Sequence, residues 1–170
     1  ISSTEILDLL LDSGGDIGLA GKDALYSAAW NDDQEMIDHL VDKGLRITDD
    51  MIEMIEDYYV SNSTKDYIYE IFEYQQTASA VVGSINDGDV ISLKALIAND
   101  VDIAKISEDL NVNFVAIAAY GGFNDVAELL IDNGMDKETD RVLRIAIGTE
   151  NIVLIKTMVE KYGVPVTEDI

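Results

Sequence analysis

Thirty-four carboxylates, one histidine and no cysteine bound the chemistry these 170 residues can perform. His39 is the only imidazole, so a Ser-His-Asp triad, an H-E-x-x-H zinc site or a histidine relay would have to be built on it. None of these finds its companion residues in the sequence, and zinc needs more imidazole or thiolate than the chain holds. Gly21-Lys22-Asp23 has the ending of a phosphate loop. Asp16 stands where that loop needs its first glycine, however, and Asp23 where a hydroxyl would hold magnesium. Asn86-Asp87-Gly88-Asp89 and Asp12-Ser13-Gly14-Gly15-Asp16 have calcium-friendly side chains but lack the alternating acids and terminal glutamate of an EF-hand, and they read as turns. With this many acids, chance carboxylate pairs are certain and identify no acid–base couple. Asn62-Ser63-Thr64 is a glycosylation sequon that matters only in a secreted protein. No enzymatic activity, cofactor or metal is expected.

The aromatic residues are distributed unevenly. Tyr58, Tyr59, Tyr67, Tyr69, Phe72 and Tyr74 fall within one short stretch, readable either as an exposed contact patch or as rings filling an irregular core. Charge is the other strong bias. Residues 1–85 carry 18 acids and 4 bases, and residues 86–170 carry 16 and 7, giving −23 in all. Such a field steers basic partners toward a protein, or merely keeps it soluble. Direct nucleic-acid binding is disfavoured, because phosphate contacts need Lys and Arg, and the 11 bases are scattered without a patch. No apolar run reaches the ~18 residues of a bilayer span. The lack of cysteine favours a reducing, cytoplasmic setting.

The elements that must position any site come from recurrence. Ala28-Ala29-Trp30-Asn31-Asp32 leads into the apolar helix face of Met36, Ile37 and Leu40 and stops at Gly44. Ala118-Ala119-Tyr120-Gly121-Gly122 leads into Val126, Ala127, Leu130 and Ile131 and stops at Gly134. A unit that returns in this way signals stacked supersecondary structure, in which no unit buries its apolar face alone. Strict alternation is absent, so the chain reads as all-α: a stacked helix-pair solenoid of about five units. Their bounds are 18–47, 48–76, 77–103, 104–136 and 137–166, after a partial unit over 1–17, in which Ile6, Leu9 and Leu10 form the apolar face and Ser2, Ser3 and Thr4 are candidate caps. First helices are expected over 23–30, 51–59, 79–83, 113–119 and 141–147. Second helices are expected over 34–42, from Tyr67 through Phe72, and over 90–98, 126–131 and 152–162. Ser61 to Thr64 reads as a turn. The small pairs Ala28-Ala29 and Ala118-Ala119 mark close helix approach, and Leu40, Leu96 and Leu130 mark inner faces.

These residues resemble ankyrin repeats. Asp23-Ala24-Leu25-Tyr26-Ser27-Ala28-Ala29, Asn113-Phe114-Val115-Ala116-Ile117-Ala118-Ala119 and Arg141-Val142-Leu143-Arg144-Ile145-Ala146-Ile147 occupy the family's first-helix frame, and Gly88 through Ile103 fits its second helix and exit. No copy has Thr-Pro-Leu-His: Ala24, Phe114 and Val142 replace the proline, and Tyr26, Ala116 and Arg144 replace the histidine. The resemblance implies a protein-binding array without catalysis, whose partner meets the turn tips and first helices, the concave side in that family. Carried across, the contact positions are Leu19, Ala20, Lys22, Trp30 and Asn31; then Asp109, Leu110, Val112, Tyr120 and Gly121; and Asp140 and Thr149. Gly21 would be a turn glycine. Trp30 and Tyr120 are equivalent and are the expected anchors, Trp30 alternatively packing on the next unit's turn. The implied partner is a protein, and the acidic field implies a basic or mixed one. Two other readings stand beside this one: an acidic nucleic-acid mimic inhibiting a DNA-binding protein, and a regulatory or targeting segment of a larger protein.

Overall fold

The computed structural model describes residues 3–57, 59–135 and 139–166, which form helices with no strand among them. Tyr58 and the cap candidate Ser2 lie outside the described residues. The chain divides into two compact units, Ile1–Gln76 and Thr77–Ile170.

In the first unit, α1 (Ser3–Asp12), α2 (Ile17–Trp30), α3 (Gln34–Asp42) and α4 (Asp49–Asp57) precede the start of α5 (Asn62–Asn86). The core gathers Leu7, Leu25, Ala28, Ala29, Ile37, Leu40, Leu45, Ile55 and Ile68. α2 packs on α3 and α4, and α1 packs on α3. The second unit contains the end of α5, then α6 (Val90–Ala98), α7 (Ile103–Asp109), α8 (Phe114–Gly121), α9 (Asn124–Asp132), α10 (Thr139–Gly148) and α11 (Ile152–Lys156), closed by a π-helical turn, Thr157–Lys161. α8 packs on α9 and α10, α6 on α9, and α10 on α11. Within each unit, therefore, first helices touch first helices and second helices touch second helices.

The repeat is sharpest in the backbone. Four of the first helices end with an amide reaching back five residues: Asp33 N to Ala28 O, Asp89 N to Ser84 O, Phe123 N to Ala118 O and Asn151 N to Ala146 O, at 2.8–2.9 Å. The residue just before each of those donors is left-handed: Asp32, Gly88, Gly122 and Glu150. Second-helix exits repeat the same closure from Gly15, Leu45, Val101 and Met135 to Leu10, Leu40, Leu96 and Leu130. Their left-handed residues are Gly14, Gly44, Asp100 and Gly134. This is the Schellman solution to the unpaired carbonyls of a helix end, and a left-handed residue is what it requires. The side chain of Asp33, Asp89 or Asn151 then caps the following helix, bonding the amides of Met36, of Ile91 and Ser92, and of Leu154.

Several expectations are corrected. The turn at Ser61–Thr64 is only its first residue: Asn62 to Thr64 already belong to α5, with the Ser61 hydroxyl accepting from Thr64 N at 3.3 Å. The helices expected over 67–72 and 79–83 are one, because Gln75, Gln76 and Thr77 offer no left-handed stop between them. α2 starts at Ile17, six residues early, because Asp16 caps it by accepting from Gly18 N at 2.8 Å. Gly21 is consequently no turn glycine. It is buried inside α2, and a Cβ there would meet Leu45 Cδ1 at 2.4 Å. On α1, Ile6, Leu9 and Leu10 are exposed and Leu7 is the buried residue. Leu93, with no exposed surface, takes the inner place on α6, while Leu96 is half-buried. The expected continuous helix over 152–162 changes to a π turn at Thr157. The wider turn accompanies the landing of adjacent Lys161 and Tyr162 on the same carboxylate, Asp132.

The Gly44–Thr48 connection is held by one side chain instead of a hairpin partner. Gln75 Oε1 accepts from Ile47 N at 2.9 Å, and its Nε2 donates to Leu45 O at 3.0 Å.

Candidate functional site

In the first unit the expected contact residues separate into three groups. Leu19 is 82% exposed on the outer side of α2 and Trp30 is 50% exposed at its end, its ring tilted against Tyr26 at 6.2 Å between centroids. Ala20 and Asn31 line an open cleft of about 410 Å³ with Ile6, Leu10, Ala24 and Ser27. Asn31 is also a structural cap, its Nδ2 donating to Ser27 O at 2.7 Å. Lys22 is committed elsewhere, because its ammonium donates to Asp50 at 2.5 Å. That bond, with one from the Thr48 hydroxyl, holds the Asp50 carboxyl below the usual carboxylate range. The positions before α2 are thus on α2, where the resemblance implied a turn.

His39 is half-buried and meets Asp8 at 2.9 Å, beside Lys43 at 2.8 Å from the same carboxylate. Lys43 first and His39 second hold Asp8 low. These contacts join α1 to α3. Of the aromatic stretch, Tyr59 is 93% exposed. Tyr67 and Tyr69 are half-buried and spend their hydroxyls on Asp38 and Glu56. Those carboxylates raise both phenols.

In the second unit Asp109 ends α7, a helix the sequence reading did not anticipate; Asp102 caps it by accepting from Lys105 N at 2.9 Å. Leu110 is its C-terminal cap, and Val112 is half-buried with its amide on Ser107 O. Asp140 sits in the first turn of α10, not before it, where the helix dipole favours an acid. Gly121 closes α8, and the space its missing Cβ leaves is taken by Phe123, whose ring would lie 2.6 Å from such an atom. It is a packing residue.

Tyr120 and Thr149 do come together. They line an open cleft of about 310 Å³ with Arg141, Arg144, Ile145 and Gly148. Tyr120 is 67% exposed. Thr149 donates its hydroxyl proton to Ile145 O at 2.9 Å, so it caps α10 and is no free donor. Arg141 also borders a second cleft of about 370 Å³ with Val112, Ser107 and Glu108. The two arginines are the residues the sequence reading missed. They lie three apart on one helix, a spacing that puts both on one face, whereas the repeat frame gives Arg141 only as its first residue and Arg144 only as the replacement of a histidine. Two of the scattered bases line one cleft here.

Among the described residues no group of three or more His, Cys, Asp or Glu side chains is placed to hold a metal ion. No helix among them is long and apolar enough to cross a membrane. No family model, curated protein or solved structure matches the chain.

Proposed function

We propose that this chain is a protein–protein interaction module, a degenerate helix-pair repeat array of the ankyrin type. Its partner meets the ends of the first helices. The observation that carries the reading is the equivalence of Trp30 and Tyr120. Each lies two residues before the left-handed residue of a first-helix exit, Asp32 in one unit and Gly122 in the other. Each keeps half or more of its surface in solvent, at 50% and 67%. An aromatic ring serving only the core has no reason to be exposed twice at the same place in a repeat, whereas Trp and Tyr dominate the energetics of interfaces. Support also comes from the like-with-like helix contacts inside each unit, which are how paired-helix repeats bury their apolar faces. The surrounding acids favour a partner whose matching surface is basic or mixed.

The test is capture of a partner by the immobilised full chain, run beside Trp30→Ala and Tyr120→Ala. Both variants are expected to keep the wild-type far-ultraviolet circular dichroism, since neither ring is buried. Each is expected to lose at least about tenfold in affinity for the captured protein, the ~1.4 kcal/mol of a modest hot spot. Wild-type affinity in both variants refutes the assignment of these rings as anchors.

A further inference from the structure

We infer that the cleft of Tyr120, Arg141, Arg144 and Ile145 binds a single carboxylate carried on a peptide segment of the partner. The inference rests on the reading that this chain binds proteins, and it names what one patch recognises.

The argument begins with how the chain uses its cations. Lys22 is paired to Asp50, Lys43 to Asp8, Lys65 to Glu56, and Lys161 to both Glu128 and Asp132. Arg46 is engaged as well. In a chain with three acids for each base that is the expected outcome. Arg141 and Arg144 depart from it, as do exposed Lys94 and Lys156: among the described residues none of the four has a carboxylate within ion-pair distance, although Asp140 is adjacent in sequence to Arg141 and Glu108 borders the neighbouring cleft. Of the four, the two arginines share one cleft. Both are exposed, and both line one concavity of about 310 Å³. Ile145 and exposed Tyr120 line the same concavity, so an apolar group next to the charge has a place to pack.

Guanidinium groups present planar forks of donors that fit an oxyanion, and two of them facing one cleft are a ready-made oxyanion clamp. The choice of oxyanion follows from the field. Residues 77–170 carry 16 acids against 7 bases. Each added negative charge on a ligand is repelled by that excess, so a doubly charged phosphate pays more than a carboxylate, and a polyanion pays most. A lone Glu or Asp side chain flanked by apolar residues fits both the cation pair and the apolar walls.

The experiment follows the three arginine Nε–Hε signals of the isotopically labelled full chain, at constant ionic strength. The probes are the end-capped peptide Ac-Leu-Glu-Leu-NH2, its glutamine counterpart and its phosphoserine counterpart. The glutamate peptide is expected to move the Arg141 and Arg144 signals along one saturating curve and to leave Arg46 in place. The glutamine peptide is expected to bind at least about tenfold more weakly, and R141Q/R144Q to weaken the glutamate peptide by at least about tenfold. Four results overturn the inference. The first is no saturable movement up to about 10 mM, a Kd beyond which binding is negligible, and the second is an equal response at Arg46. The third is equal binding of the glutamine peptide, a comparison made on the wild type that stands even if the double variant misfolds. The fourth is tighter binding of the phosphoserine peptide, which would make the ligand a phosphate. None of these bears on capture through Trp30 and Tyr120, so the two readings fail separately.

Discussion

Asp32 shows how a single side chain carries the fold of the first unit. It adopts a left-handed backbone at φ 52°, the closure residue of α2. Its carboxylate accepts from the hydroxyls of Ser61 at 2.5 Å and of buried Thr64 at 2.6 Å, tying that turn to the start of α5. Ser61 first, then Thr64, hold its carboxyl below the usual carboxylate range. Asp8, Asp50, Asp89 and Asp132 are lowered as well. A carboxyl lowered in the folded state contributes stability that is fully present above its unfolded pKa and disappears as pH falls through the folded value. Urea midpoints are therefore expected to hold down to about pH 4 and to drop below it. Asp32→Asn tolerates the left-handed backbone but cannot titrate, so it should lose less stability than wild type between pH 7 and pH 3; an equal loss would remove Asp32 from the acid response. The glycines give a second residue-scale prediction. Cβ atoms at Gly88 and Gly121 would stand 2.4 and 2.6 Å from the Phe123 ring, and Gly88 is also left-handed at φ 69°. Gly121→Ala should cost roughly 1–3 kcal/mol for displacing the ring, and Gly88→Ala more, with backbone strain added. Chemical denaturation ranks the two.

At the scale of the helix, what was legible and what was hidden follow from one rule. Where a stop was written as a left-handed residue, as at Gly14, Gly44, Gly88, Gly122 and Gly134, the boundary could be placed from the sequence. Where none was written, at Gln75-Gln76-Thr77, two expected helices joined into α5. The early start of α2 was obscured by Gly21, which has the place of a turn glycine in the repeat frame, although it is there to admit Leu45. α7 has seven residues, too few for a periodic signal, and announces itself only by the Asp102 cap. The site divides in the same way. Tyr120 and Thr149 were visible through equivalence with other units. The Arg141–Arg144 pair acquires meaning only once α8 packs on α10 and leaves a cleft between them. Inner-face assignments are testable on α6. Leu93→Ala removes a side chain with no exposed surface and should cost about 2–5 kcal/mol. Leu96→Ala, at a half-buried position, should cost clearly less. Equal losses would mean the packed face of α6 has been misread.

For the whole molecule the governing quantities are the charge of −23 and two separate cores. If the acids steer a basic or mixed partner, association should slow by roughly tenfold or more as salt rises from about 50 to 500 mM, with dissociation changed far less. A flat association rate would leave the acids with solubility alone. The central claim is that the exits of the first helices are where the partner lands. Amide hydrogen exchange of the full chain, with and without the captured partner, tests it most directly. Added protection is expected around residues 26–33 and 118–124, flanking Trp30 and Tyr120. Protection confined instead to the exposed apolar surfaces of the second helices, at Ile91 on α6 or Ile152 and Val153 on α11, would contradict it.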